Sequence, residues 1–168
     1  MKKRLALLQM DVHVNDVEYN YNRVQELLTQ SLTENPDIIV LPETWNTGFH
    51  PSDDLITIAD RNGERTKSLL TAFAKEHKVN IVGGSVAVAK DDLVFNTSYA
   101  YNREGSLVGE YSKMHGFSPA KEDKYFASGT HTTHFELDGI PCSTVICYDI
   151  RFPELVRMAA LPGTELLF

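Results

Sequence analysis

The chain holds 168 residues, 42% hydrophobic and 23% charged, with a net charge of −7, as befits one soluble globular domain large enough to enclose a core. That acidic balance argues against a nucleic-acid surface, which needs a basic patch. No segment is apolar for long enough to span a bilayer, and Gln9 and Asp11 interrupt what would otherwise resemble a signal-peptide core, so the expected compartment is the cytoplasm.

Lys2, Lys3 and Arg4, the only basic run, solvate the start of a buried strand expected over Leu5 to Val14. Tyr21, Val24, Leu28 and Leu32 recur at helical spacing within a helix from Val17 to Glu34, which Asn35-Pro36 closes. Asp37 to Leu41 is a nearly continuous apolar run, the pattern of a strand covered on both faces, and Pro42 ends it. A second helix fits Glu64 to Lys78, burying Leu69, Leu70, Phe73 and Ala74. Val79 to Val88 reads as a strand, with Gly83-Gly84 marking a bulge or close backbone approach.

Leu93 to Tyr101 and Ser106 to Tyr111 form an expected hairpin joined through residues 102–105. After an irregular stretch from Met114 to Thr130, a second hairpin pairs His134 to Leu137 with Pro141 to Ile146 around Asp138-Gly139. Pro153 opens a helix to about Ala160, and Thr164 to Phe168 begins another strand. Alternating strands and helices followed by antiparallel hairpins predict an α/β fold with a mixed sheet, one domain over residues 1–168 with no internal repeat or linker.

Two cysteines do not make a disulfide scaffold. Cys142 and Cys147 lie five residues apart in one expected strand, so they face opposite sides at a separation of roughly 16 Å. A disulfide needs Cα atoms within about 7 Å. At least one thiol is therefore present for another reason.

Glu43, Lys113 and Cys147 each fall just past the end of an expected strand, where sites form in open α/β sheets. A thiol with an ordinary pKa of about 8.5 needs a base or a positive neighbour to act as a nucleophile. Glu43 suits the base, and Lys113 suits an oxyanion stabiliser, assisted by the backbone N–H of Tyr148. Taken singly, each also has a plain reading: Cys147 as a small core residue, Glu43 as a loop carboxylate, Lys113 as a solvated strand end.

The words around these residues add a resemblance. Ile39-Val40-Leu41-Pro42-Glu43 with Gly48-Phe49, Tyr111-Ser112-Lys113-Met114-His115, and Val145-Ile146-Cys147-Tyr148-Asp149-Ile150-Arg151-Phe152-Pro153-Glu154-Leu155 resemble the glutamate, lysine and cysteine motifs of the nitrilase superfamily of carbon–nitrogen hydrolases. They stand in that family's order across essentially the whole chain. The resemblance implies an αββα sandwich, a Glu43-Lys113-Cys147 triad, a second glutamate at Glu122 that orients the lysine, and no metal or organic cofactor.

The branch it looks most like is the omega-amidases, which deamidate short dicarboxylic monoamides such as 2-oxoglutaramate through a cysteine thioester. Gly116 after His115 leaves the exact substrate open, and a carbamoylase, a nitrilase or a non-catalytic binding fragment are the alternatives. A small amide is the expected partner, together with a homodimer or higher homo-oligomer.

Arg151 offers a bidentate fork for a substrate carboxylate, against a structural ion pair with Asp149 or Glu154. Trp45 and Phe49 are candidates to line the pocket, against plain packing. His115 is the alternative thiol partner, and His131 with His134 gives a weak metal signal without a third ligand. Members of the family continue well past Thr164. The chain therefore reads as truncated, and a polypeptide that ended at Phe168 is expected to expose an apolar sheet face and to be weakly active or inactive.

Overall fold

The computed structural model describes residues 2–168. Ten strands and five α-helices follow in the order β1 (Leu5–Leu7), α1 (Val17–Ser31), β2 (Ile38–Val40), α2 (Leu55–Ile58), β3 (Asp60–Arg61), α3 (Glu64–His77), β4 (Asn80–Val82), β5 (Val86–Lys90), β6 (Leu93–Tyr101), β7 (Leu107–Ser112), α4 (Glu122–Tyr125), β8 (His134–Leu137), β9 (Ile140–Ser143), α5 (Pro153–Ala160) and β10 (Leu166–Leu167).

Seven strands form one mixed sheet in the order β1-β2-β4-β6-β5-β3, with β7 also paired to β6. The other three, β10-β9-β8, form a small second sheet. Period-2 alternation decides what each strand gives to which layer. Ile39, Ile81 and Tyr101 point outward to Val24 and Leu28 of α1 and Leu70 and Ala74 of α3. Their neighbours Ile38, Val82 and Ala100 point inward to Phe135, Leu137 and Cys142 of the small sheet. β9 and β10 are parallel, so α5 is the crossover helix between them. The layers are helix, sheet, sheet, helix, as the resemblance implied.

α1 begins where Asp16 accepts a hydrogen bond from the Tyr19 backbone, and ends through a 3₁₀ turn at Leu32–Glu34 with Asn35 left-handed. The Asp138-Gly139 turn has positive φ at both residues, 52° and 79°, as a tight hairpin requires.

Three expectations change. The first strand stops at Leu7: Leu8 donates to Val40, and β2 then ends before Pro42, so no ladder continues. It is also not buried, since Leu5 and Leu7 are 39% and 70% exposed on the inward face beside Ile38 and Val40. Cys142 and Cys147 do not share a strand, because β9 ends at Ser143 and Cys147 opens a 3₁₀ turn to Arg151; both thiols are free. The irregular stretch after Met114 contains a 3₁₀ turn at Ser118–Ala120 and the single turn of α4.

The strand expected over Val79 to Val88 is β4 and β5 joined through a bulge. Val82 pairs with Ala100 and Val86 with Thr97, so residues 83–85 face only residues 98 and 99. A Cβ on Gly84 (φ +58°) would lie 1.9 Å from the Pro42 carbonyl oxygen and 2.4 Å from that of Leu41. The expected close backbone approach is therefore there, and its neighbour is the glutamate loop.

Candidate active site

The bulge fixes Glu43. Ser85 donates its N–H to Pro42, Trp45 donates to Ser85, and the Ser85 Oγ accepts from the Thr44 N–H at 3.0 Å. Thr44 sits at φ 43°, a backbone state that β-branched residues rarely adopt. The loop is held at this cost by contacts on both sides, an arrangement found where a side chain must be aimed.

Lys113 follows directly from β7, its N–H bonded to the Asn96 carbonyl and its own carbonyl accepting from Gly129. Its ammonium lies 2.8 Å from Glu43 Oε1 and 2.7 Å from Glu122 Oε2. Glu122 is wholly enclosed and also accepts from the Phe117 N–H at 2.6 Å. Asn96 donates its side-chain amide to Glu43 Oε1 at 3.0 Å and to Glu122 Oε1 at 3.4 Å. Burial works against the Lys113 charge, but the hydrogen bonds and charges of Glu122 and Glu43 prevail and hold its pKa above the ordinary value. It is a fixed cation.

Cys147 starts its 3₁₀ turn at φ 47°, again left-handed. A strained non-glycine residue at a reactive side chain points to function. Its first turn leaves the N–H groups of Cys147 and Tyr148 without partners inside the turn. Cys147 is exposed as a residue, but partial desolvation of its thiol, and then the negative charge of Glu43, push the thiol up to about 11, while Lys113 pulls the other way. The thiol is therefore protonated near neutrality and needs a base. Glu43 and Cys147 share the wall of a cavity of about 160 Å³ with Val40, Val82 and Ile146. Lys113 and Asn96 engage only Oε1 of Glu43, which leaves Oε2 open.

One carboxylate essential to this geometry escaped the sequence reading except as a partner for Arg151. Asp149 is fully buried and accepts from Tyr111 Oη (2.7 Å), the His115 N–H (2.9 Å), His115 Nδ1 (2.8 Å) and the Ile146 N–H (3.1 Å). It ties the cysteine turn to the end of the lysine strand. Burial and then Asp149 push the Tyr111 phenol far up, so it stays a donor. His115 is thereby engaged by Asp149 and stacked on Phe152 at 3.6 Å, not paired with the thiol.

Other candidates disperse. Trp45 is in the outer core, donating to the Gly83 carbonyl and packed edge-on to Tyr21, rather than on a pocket wall. Phe49 is half-buried and contacts Phe117, which meets Tyr148 at 5.1 Å, so these rings form one aromatic strip beside Cys147. Arg151 is exposed and, among the described residues, forms no ion pair, because Asp149 is saturated by other donors. His131 and His134 are exposed and reach only Thr130 and Thr132.

A thiol on a strained turn, facing a carboxylate with an ammonium held behind it, is the equipment of a cysteine-dependent acyl-transfer enzyme. Comparison with known proteins makes the class specific: the family profile of the carbon-nitrogen hydrolases matches residues 4–168, and the chain belongs to that family.

Over all 168 residues it is 39% identical to the 2-oxoglutaramate amidase of Bacillus subtilis (strain 168), covering 64% of that protein. It is 30% identical to the omega-amidase NIT2 of Danio rerio, with 99% of this chain and 62% of that protein aligned. The amidase NitN of Nesterenkonia sp. AN1 shares the fold at a TM-score of 0.87 and 22% identity, over 99% of this chain and 65% of that one. The chain thus spans somewhat under two thirds of the length of these relatives.

Proposed function

We propose that the protein hydrolyses a carbon–nitrogen bond in a small linear amide of the omega-amide type, such as 2-oxoglutaramate, releasing ammonia. The observation that carries this reading is the cluster of Glu43, Lys113 and Glu122 within hydrogen-bonding distance, beside the Cys147 turn.

Glu43 takes the thiol proton and the thiolate attacks the amide carbonyl carbon. The resulting oxyanion is stabilised by the Lys113 ammonium and the Tyr148 N–H. Glu43 returns the proton to nitrogen, the C–N bond breaks, and ammonia leaves a thioester on Cys147. Water, deprotonated by Glu43, then attacks the thioester; the carboxylic acid departs and the thiol is restored. Glu122 holds Lys113 in place. Phe49, Phe117 and Tyr148 supply an apolar edge for the substrate chain, and Arg151, exposed and without an ion pair among the described residues, is the candidate for a distal carboxylate.

A free thiol nucleophile works in a reducing compartment, so we place the reaction in the cytosol. Exposed Ile150 on the cysteine turn, Met158 on α5 and Leu161 just after it support the homodimer or higher homo-oligomer. Light scattering on the purified protein measures it.

The deciding experiment follows ammonia release from 2-oxoglutaramate by the purified chain and its Cys147→Ala variant. Ammonia that depends on Cys147 is expected. Turnover of a nitrile, or carbon dioxide released with ammonia from a carbamoyl compound, would replace the amide reading by nitrilase or carbamoylase. Silence on all three, with Cys147 inert to alkylation, favours a non-catalytic binding fragment.

A further inference from the structure

We propose that Asn96 is a positioning residue: its side-chain amide bridges Glu43 and Glu122 and so holds both carboxylates in register around Lys113. The inference rests on the catalytic reading of that cluster, and its test includes a measurement independent of amide turnover.

The hairpin register produces the placement. β6 pairs Thr97 with Ser112, so Asn96 stands beside Lys113, and the Lys113 N–H bonds the Asn96 carbonyl at 2.9 Å. On its other side Asn96 pairs with Ala87 of β5, which fixes it in the middle of the large sheet. Its amide nitrogen is then 3.0 Å from Glu43 Oε1 and 3.4 Å from Glu122 Oε1.

Charge counting shows why a donor is needed there. Two carboxylates share one ammonium, so an excess negative charge sits where Asn96, Lys113 and Glu122 are all at most 4% exposed. Like charges that close favour proton uptake unless donors compensate them. One NH₂ group pointing at both carboxylates compensates them without adding a charge or a proton to exchange. The reverse orientation would aim an oxygen at two anions.

The far end of the side chain is left unpaired by this orientation. Asn96 Oδ1 is buried and has no hydrogen-bond partner among the described residues. An orphaned buried acceptor costs about 1–3 kcal/mol, and Asn80 Oδ1, away from the cluster, is left in the same state. At Asn96 the orientation follows the two carboxylates at the expense of the oxygen.

The test compares the full chain with Asn96→Leu, similar in volume but without donors, and Asn96→Asp, the same shape with the amide lost. Thermal melts establish folding, and intact-mass spectrometry follows iodoacetamide alkylation of Cys147 against pH. Both variants are expected to lower kcat by about 10²-fold with KM within about 3-fold, the size of a lost acid–base arrangement.

Both should also displace the alkylation profile relative to the parent, because the thiol then faces an altered cluster charge. A leucine variant that folds with the parent's kcat and alkylation profile overturns the proposal. If that variant does not fold, Asn96→Ser replaces it: smaller and with one hydroxyl donor, it should fall between parent and aspartate variant, and parent-like behaviour overturns the idea. If the parent itself releases no ammonia, the amidase reading fails, while a displaced alkylation profile still supports Asn96.

Discussion

Cys147 is held in a state that makes it a poor nucleophile on its own. Partial desolvation comes first among the causes that carry its thiol to about 11, and the Glu43 charge comes second, ahead of the opposing pull of Lys113. Glu43 thus suppresses the free thiolate and, in the proposed mechanism, is also the group that takes the proton from it. Replacing Glu43 by Gln separates the two effects. The thiol loses its negative neighbour, so iodoacetamide alkylation at pH 7–8 should become several-fold faster, since each pKa unit is about tenfold in thiolate at fixed pH. Amide turnover should fall by about 10²–10⁴-fold for want of the base. Faster alkylation with lost turnover is the expected pair. Slower alkylation in the glutamine variant would mean that Glu43 lowers the thiol pKa and that the assignment of its charge effect is wrong.

At the scale of elements, the bulge between β4 and β5 is the part of the scaffold on which Glu43 depends most directly. Gly84 leaves no room for a Cβ against Pro42. Gly84→Ala must push the glutamate loop away, and shifts of about 1 Å in a catalytic group cost about 10²-fold. Gly139→Ala is the control: φ is also positive, +79°, but nothing lies within 4 Å of the added carbon. It should cost about 1 kcal/mol of stability and leave kcat unchanged. Equal loss of activity in both variants would show that global strain, not displacement of Glu43, is responsible.

The sequence carried much of this element. Gly83-Gly84 marked the close approach, and the Asn35-Pro36, Asp138-Gly139 and Pro153 signals placed their boundaries near where they are found. The three candidate residues Glu43, Lys113 and Cys147 were legible because their motifs are local words. Asn96 and Asp149 were not, because their roles depend on pairing across strands. Asn96 looks like one polar residue in the run Leu93 to Tyr101 until the β6–β7 register sets it against Lys113. Asp149 looks like a surface acid beside Arg151 until the 3₁₀ turn rotates it inward to Tyr111 and His115. Trp45 was ambiguous for the same reason: its place in the core follows from a hydrogen bond to the bulge, not from its neighbours in sequence.

Across the whole molecule, ionisable groups limit stability at both ends of the pH scale. Burial pushes Cys142 up to about 11 and Tyr101 up to about 12, with Tyr21, Tyr99 and Tyr111 higher still. In an unfolded chain these groups titrate near about 8.5 for Cys and 10 for Tyr. The unfolded state therefore releases protons first, so this contribution is complete below about pH 8.5 and is lost as pH rises towards 12.

The acid limb has a different source, at the other end of the sandwich from Cys147. Arg103, on the β6–β7 turn, donates to both oxygens of Asp138 on the β8–β9 turn at 2.8 and 2.7 Å, and to Asp37 at 2.9 Å, with Lys3 closing on Asp138 at 2.9 Å. This clamp joins the two sheets. The Arg103 guanidinium holds Asp138 far below the usual carboxylate range, and the Arg4 N–H does the same, less strongly, for Asp37. Both folded-state values lie below the unfolded value of about 3.9, so this contribution is present above about pH 4 and lost as pH falls below it.

Asp138→Asn keeps the shape and removes the charge. It should lower stability at neutral pH by about 1–3 kcal/mol, the range for hydrogen bonds to charged groups, and flatten the decline of melting temperature below pH 4. The alkaline decline should be untouched, because Asp138 is not among the causes that raise Tyr101 or Cys142. Melting curves from pH 3 to 11 on parent and variant test both limbs at once. An acid limb as steep in the variant as in the parent would show that other carboxylates carry it, and that the clamp contributes packing between the sheets rather than charge.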